Sequence, residues 1–401
     1  MPHWFFIPFL FAVGACVGSF LNVVVYRVPR EMSLITPPSR CPNCKTPLAW
    51  YDNIPVLGWI FLGGKCRYCH QPISSRYPIV EAITGLLFVF YYVMFFIAGV
   101  APAGEMTWPI YGLYMALIAG LLAASLIDGE LFIIPVGIPW WLAVAGVVVH
   151  AIGDQPTSAG SLIDPPFALA LCGGAAIGLI ISIILLQTKI IPLSFPTTDL
   201  LESERQRLEE KAEEAAKAGE QFPEIPPEFT PQQVRSEIRK EMLFLMSPMA
   251  LGAISVLLEM RVPAARHLWI AAANIDWLSA AMGSILGGLI GAFLIWLTRV
   301  LGSYILGKEA MGLGDVHLML GIGAVLGAGM ATITFFLAPF AGIVAGLYLL
   351  ITRSRRQLPY GPYLSLAAAV VMLFYSPIAD YLRPGVIGFL QILGGLWKTS
   401  G

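Results

Sequence analysis

Four cysteines and two aspartates are the residues whose types and spacing suit chemistry. Cys41-Pro42-Asn43-Cys44 and Cys66-Arg67-Tyr68-Cys69 are two C-x-x-C pairs with 21 residues between them. A tight turn lets each pair offer two thiolates to one tetrahedral metal. The intervening residues then form a lobe that the metal closes, which is the logic of a zinc ribbon. A thioredoxin-like redox site needs one pair beside a βαβ pattern, which is absent, and structural disulfides need an oxidising compartment. His70, next to Cys69, is an alternative ligand or a surface residue. Cys16 and Cys172 lie within apolar runs, where a thiol packs as a small hydrophobe.

Asp128 follows the apolar run Leu121–Ile127, and Asp315 opens another in Gly312-Leu313-Gly314-Asp315-Val316-His317. Charge at membrane depth is expensive and usually functional. Gly312 and Gly314 allow a backbone approach that any side chain would block. Two carboxylates held close share one proton, so one acts as base on water while the other protonates a carbonyl oxygen. Three more acids, Glu81, Glu130 and Glu309, stand against helix ends on the same side. Spacing alone does not bring Asp128 and Asp315 together, and a pair of ordinary interfacial acids is the plain alternative.

The elements that must position these residues are membrane helices. The chain has 401 residues, 57% hydrophobic and 12% charged, with a mean hydropathy of +0.75. Soluble domains average about 25% charged residues. Of the 49 charges, 19 fall within residues 199–242, so the remainder is poorer still. Ten apolar segments stand out: 4–26, 78–99, 109–127, 136–152, 166–186, 243–258, 277–301, 316–330, 331–352 and 361–377. The eighth is short and rich in glycine, as a broken or tilted helix would be. No positive charge precedes the first segment, whereas Arg27 and Arg30 follow it. It reads as a retained helix with its N-terminus outside, not a cleaved signal.

Alternation from that start makes 27–77, 128–135, 187–242, 302–315 and 353–360 the inner loops. They carry 7, 0, 8, 1 and 3 Lys/Arg, against 0, 0 and 2 for the outer loops 100–108, 153–165 and 259–276. The positive-inside bias agrees with that arrangement. An all-α polytopic fold of about ten apolar segments follows, with a small cytoplasmic four-cysteine loop. Residues 199–220 read as a charged, solvated helix ended by Pro223, Pro226, Pro227 and Pro231. Net charge is −1 and no basic stripe with interleaved aromatics appears, so nucleic acid is not an expected partner.

The motifs, taken in order, resemble the type IV prepilin peptidases, aspartyl proteases with a G-x-G-D motif. The resemblance rests on Gly18-Ser19-Phe20-Leu21-Asn22-Val23-Val24, Ser39-Arg40-Cys41-Pro42, Asp52-Asn53-Ile54-Pro55 and Arg76-Tyr77-Pro78 with Glu81. It continues at Ile127-Asp128, Ile134-Pro135, Glu309-Ala310-Met311-Gly312-Leu313-Gly314-Asp315-Val316 and Pro359-Tyr360-Gly361-Pro362. The resemblance implies cleavage of a basic leader from type IV prepilins or type II secretion pseudopilins, on the cytoplasmic side of the bacterial inner membrane. It also implies N-methylation of the new terminus by S-adenosylmethionine, although no glycine-rich nucleotide fingerprint marks a methyl-donor site. Asp128 and Asp315 match the catalytic pair, and Cys41, Cys44, Cys66 and Cys69 the metal-binding loop. Gly312, Gly314, Glu81 and Glu309 belong to the supporting motifs.

Two departures stand out. His317 occupies a position where the family more often has Lys, and residues 155–260 read as an inserted membrane pair joined by the charged loop 187–242. The expected organisation is 1–26 first helix, 27–77 zinc loop, 78–154 helices carrying Asp128, 155–260 insert, 261–377 helices carrying Asp315, and 378–401 tail. The insert is expected to be dispensable for cleavage. A presenilin-like intramembrane protease is the nearest alternative. A proton-coupled transporter using Asp128 and Asp315 is the alternative from another class, and it gives the paired cysteines no use.

Overall fold

The computed structural model describes residues 3–100, 106–153, 165–192, 194, 230–351 and 359–399. In chain order the helices are α1 (His3–Arg27), α2 (Leu57–Phe61), α3 (Arg76–Tyr92), α4 (Trp108–Leu131), α5 (Gly137–Gly153) and α6 (Pro165–Gln187). They continue with α7 (Pro231–Arg261), α8 (Pro263–Ala273), α9 (Asp276–Leu306), α10 (Leu313–Ile351) and α11 (Gly361–Thr399). Among the described residues there is no strand, only two isolated antiparallel bridges, Arg40 with Pro47 and Lys65 with Pro72. Eight of the helices are long and apolar enough to cross a bilayer, and α5, at 17 residues, is shorter.

The chain divides into two compact units. The first comprises Met1–Leu162, Ile275–Ala292 and Gly314–Gly401, and the second Ile163–Asn274 and Phe293–Leu313. In the first, α1, α3 and α4 bury Leu21, Val24, Val25, Val80, Ala119, Ala123 and Ile127 against one another. Lipid tails are as apolar as these side chains, so close packing and polar cross-links hold such helices together. Tyr111 Oη donates to Phe88 O at 2.7 Å and Tyr91 Oη to Ala369 O at 2.9 Å, tying α3 to α4 and to α11.

The segments expected at 316–330 and 331–352 are the two arms of α10, separated by Gly327 at φ 83°, ψ 169°. An L side chain rarely adopts that backbone, so the break falls on a glycine. Two carbonyls just before the break are bonded from neighbouring helices. Ser284 Oγ donates to Ala324 O at 2.6 Å, and His150 Nε2 donates to Val325 O at 3.0 Å. This satisfies backbone that has no water to turn to. The chain must reverse at the break. A straight helix from Gly314 to Ile351 would be about 56 Å long, whereas the links from Ile351 to Gly361 reach at most about 35 Å. Yet Gly314 and Gly361 both abut Ile134: a Cβ on the first would lie 2.9 Å from Ile134 Cβ, and one on the second 3.1 Å from Ile134 Cδ1.

In the second unit α6 lies along α7. Ser182 Oγ donates to Phe244 O at 2.5 Å and meets Ser247 Oγ at 2.9 Å, and Ser247 Oγ donates to Gly178 O at 2.5 Å. Helix α7 starts at Pro231, well before the apolar segment expected from 243. Thr230 and Gln233 form a reciprocal capping box ahead of Pro231 at the first helical turn. The charges between them and the apolar run sit on the helix, with Lys240 and Glu237 paired at 2.7 Å. The charged helix expected at 199–220 lies outside the described residues.

Candidate active site and metal centre

Asp128 sits in the last turn of α4, which Phe132 closes in the left-handed conformation with its N–H on Asp128 O. Its carboxylate is buried, and Oδ2 accepts the backbone N–H of Gly361 at 2.9 Å. A Cβ on Gly361 would stand 2.6 Å from that same oxygen, so glycine is required for the approach. Asp315 is buried in the first turn of α10, where the helix dipole favours a negative charge. Gly314 brings that turn against Ile134, six residues beyond Asp128.

Tyr360, beside Gly361, has its phenol pushed up to about 12 by burial and by the charge of Asp315. Burial favours its neutral O–H form. The turn 359–361 thus bonds one aspartate and lies within electrostatic reach of the other. His317 lies two residues further along α10, about half a turn round the helix, its ring 6.5 Å from that of Trp140. Glu130, at the other face of the α4 terminus, is half exposed and paired with Arg76 at 2.5 Å.

The cysteine loop forms two similar knuckles. Cys41 N–H bonds Thr46 O at 3.0 Å, and Cys66 N–H bonds Gln71 O at 2.9 Å. The residue after each second cysteine, Lys45 or His70, takes a positive φ. All four sulfurs lie within 4.8 Å of one another, with Cys41 Sγ 3.8 Å from Cys69 Sγ and Cys44 Sγ 4.0 Å from Cys66 Sγ. A tetrahedral zinc with Zn–S bonds of about 2.3 Å separates its sulfurs by about 3.8 Å, so the residues fit that ion. The Cys69 thiol is pushed down to about 6 by the Gln71 backbone N–H, then by the Asn43 side-chain amide, and its thiolate is available at neutral pH. His70 is exposed and outside the cluster.

Glu81 works beneath this loop. Its Oε2 accepts the Val56 N–H at 2.7 Å, which holds a β-branched residue at φ 61°, ψ −54°. Asp52, buried in the turn Trp50–Asn53, takes Arg67 through Nη2 at 2.6 Å and Nε at 3.0 Å, tying that turn to the second cysteine knuckle.

Glu309 is partly exposed and paired with Arg299 at 2.5 Å. Sequence reasoning did not single out Arg299, and it met Tyr360 and Gly361 only as part of the 359–362 motif. Arg299 carried a signal, being the single charge inside the apolar segment 277–301. The backbone amide of Gly361 carried none beyond the motif around it.

Two family models match the chain: the bacterial peptidase A24 N-terminal domain over residues 12–95, and the type IV leader peptidase family over residues 243–347. The first includes the four cysteines and Glu81. The second includes Glu309, Gly312, Gly314 and Asp315, and it begins inside the segment read as inserted. Asp128 lies between the two matches. A prepilin leader peptidase/N-methyltransferase of Myxococcus xanthus is 57% identical over 91 residues, 22% of this chain and 27% of the relative. One from Klebsiella pneumoniae is 42% identical over 148 residues, 35% of this chain and 60% of the relative. A type 4 prepilin-like proteins leader peptide-processing enzyme of Escherichia coli is 36% identical over 143 residues, 30% of this chain and 48% of the relative. The chain thus spans between 27% and 60% of the length of these relatives. No solved structure matches it.

Proposed function

We propose that this chain, which is similar to the type IV leader peptidase family, is a membrane aspartyl endopeptidase that removes the leader of type IV prepilins or type II secretion pseudopilins. Asp128 and Asp315 share one proton around a water molecule. The ionised carboxylate takes a proton from the water, whose oxygen attacks the scissile carbonyl carbon. The protonated carboxyl gives its proton to the carbonyl oxygen. Collapse of the tetrahedral species breaks the C–N bond: the departing amine takes the proton held by the first carboxyl, and one hydroxyl returns its proton to the second, which regenerates the shared-proton pair. Tyr360, a neutral donor near Asp315, helps hold the substrate carbonyl.

The observation that supports this reading is the 359–361 turn, whose Gly361 amide bonds Asp128 while Gly361 and Gly314, the neighbour of Asp315, both abut Ile134. A transporter would leave both this turn and the cysteine loop without a role. Cys41, Cys44, Cys66 and Cys69 would hold one zinc, whose chemistry here is to cross-link the two knuckles. The cytoplasmic face of the inner membrane, favoured by the Lys/Arg distribution, is the side of cleavage. N-methylation with S-adenosylmethionine is carried over from the relatives' printed names, without assigned residues.

The test is co-expression with a prepilin and mass measurement of its N-terminus. Wild type is expected to yield a shortened product bearing one methyl group. Asp128→Asn and Asp315→Asn should each leave the leader attached, and the double variant should add little to either loss, because residues acting as a unit are non-additive. Near-normal processing by either single variant would remove the dyad.

A further inference from the structure

The guanidinium of Arg299, on α9, has 0% side-chain exposure within an apolar helix. An arginine so placed persists only when fully bonded. Its Nη2 donates to Glu241 Oε1 at 3.0 Å and its Nε to Glu241 Oε1 and Oε2 at 3.2 and 3.3 Å. Its Nη1 donates to Glu309 Oε1 at 2.5 Å and to the carbonyl of Met311. Glu241, buried on α7, is further bonded by Trp296 Nε1 at 3.1 Å and Ser194 Oγ at 3.3 Å. The loop between α9 and α10 is pinned once more where Ser303 Oγ accepts the Ala310 N–H at 2.9 Å. One cation therefore grips the segment 309–311 at a side chain and at a backbone carbonyl. That segment runs directly into Gly312-Leu313-Gly314-Asp315.

We infer that Arg299 is a positioning residue for the peptidase reaction, that Glu241 orients it, and that α7 is therefore part of the machinery presenting Asp315. The inference rests on the peptidase reading and adds residues to it. Fork geometry is what the site uses: three separated acceptors, Glu241, Glu309 and the Met311 carbonyl, are met by one rigid planar group, which a lysine ammonium cannot reproduce. A loop released by about 1 Å far from the chemistry can cost about a hundredfold in rate. The expectation that 155–260 is dispensable is withdrawn accordingly, because deletion would remove Glu241 and strand the arginine.

Purified full-length protein in lipid vesicles, assayed with a prepilin over a range of substrate concentrations, tests this. Arg299→Gln and Glu241→Gln are expected to lower kcat about a hundredfold with KM within about threefold, at unchanged zinc content. Arg299→Lys should recover part of that loss, and the limbs of the kcat–pH profile should move in all three. The double variant Glu241→Gln/Arg299→Gln restores neutrality without restoring the grip, so it should cleave no faster than the singles. Wild-type kcat in the double variant, or in both singles, would overturn the inference. So would failure of every variant to accumulate, which would make the network a folding requirement. Absence of cleavage by the wild type would instead sink the peptidase reading.

Discussion

A carboxylate serves as half of a water-activating pair only while its lone pairs stay aimed at the water. For Asp128 the aim is set by one hydrogen bond, from the Gly361 amide to Oδ2. That makes Gly361 a sharper probe than the aspartates themselves. A methyl group there would stand 2.6 Å from Oδ2 and 3.1 Å from Ile134 Cδ1, so the carboxylate must turn or the 359–361 turn must retreat. Gly361→Ala is expected to lower kcat by about a hundredfold while leaving zinc content unchanged; initial rates on a purified prepilin read it. Glu130→Gln is the control, since that side chain pairs with Arg76 at the surface and should cost little. Activity in Gly361→Ala matching that of Glu130→Gln would mean that Asp128 needs no such alignment. The two proposed aspartates stand out in the sequence because intramembrane acids beside glycine are rare. The group that aims one of them does not, because a backbone amide has no residue type.

Among the elements, the legible features were those with a period or a composition. Helices α1, α3, α4 and α6 fall close to their apolar runs, and the glycine-rich eighth segment is the short first arm of a broken helix. The start of α7 was missed because its first three turns are polar; only Val234, Ile238 and Glu241 face inward there, too few to show a stripe. The cysteine loop is the element whose fold is least tied to periodicity and most to cross-links: the four thiols, the Asp52–Arg67 pair, and Glu81 on the Val56 amide. Replacing two of the four cysteines by serine should lower bound zinc from about one equivalent to none. Glu81→Ala should retain the zinc but lose about 1–3 kcal/mol of stability, because it abandons a bonded N–H at a residue with a disfavoured φ. Glu81→Gln keeps an acceptor and should lose less. Metal analysis and thermal unfolding in detergent separate the outcomes; equal stability of the alanine and glutamine variants would mean that the Val56 contact contributes nothing.

For the whole molecule, two contacts constrain how often the chain crosses the membrane. Gly314 abuts Ile134, so an even number of crossings lies between them. Helices α6, α7 and α9 supply three, and α5 must be the fourth, although its 17 residues are the shortest length that spans. Along α10, Pro139 meets Gly321 midway through the first arm, and Gly146 and His150 meet Ala324 and Val325 close to the break. Gly361 also abuts Ile134, so the two arms of α10 count as two crossings. On the proposed topology the ten apolar segments of the sequence are ten traverses, and Tyr360 and Gly361 share a side with 128–135. The proposal that this side is the cytoplasm rests on the Lys/Arg bias. Cysteine substitutions at Ser158, in 153–165, and at Ser354, in 353–360, read the arrangement directly. On intact cells a membrane-impermeant maleimide should label Ser158→Cys, and it should label Ser354→Cys only after lysis. Labelling of Ser354→Cys from outside would mean that the arms of α10 cross once, and protection of Ser158→Cys until lysis would mean that α5 does not cross. Either result would leave Asp128 and Asp315 on opposite sides of the bilayer or unable to share the 359–361 turn, and the dyad would fail with the topology.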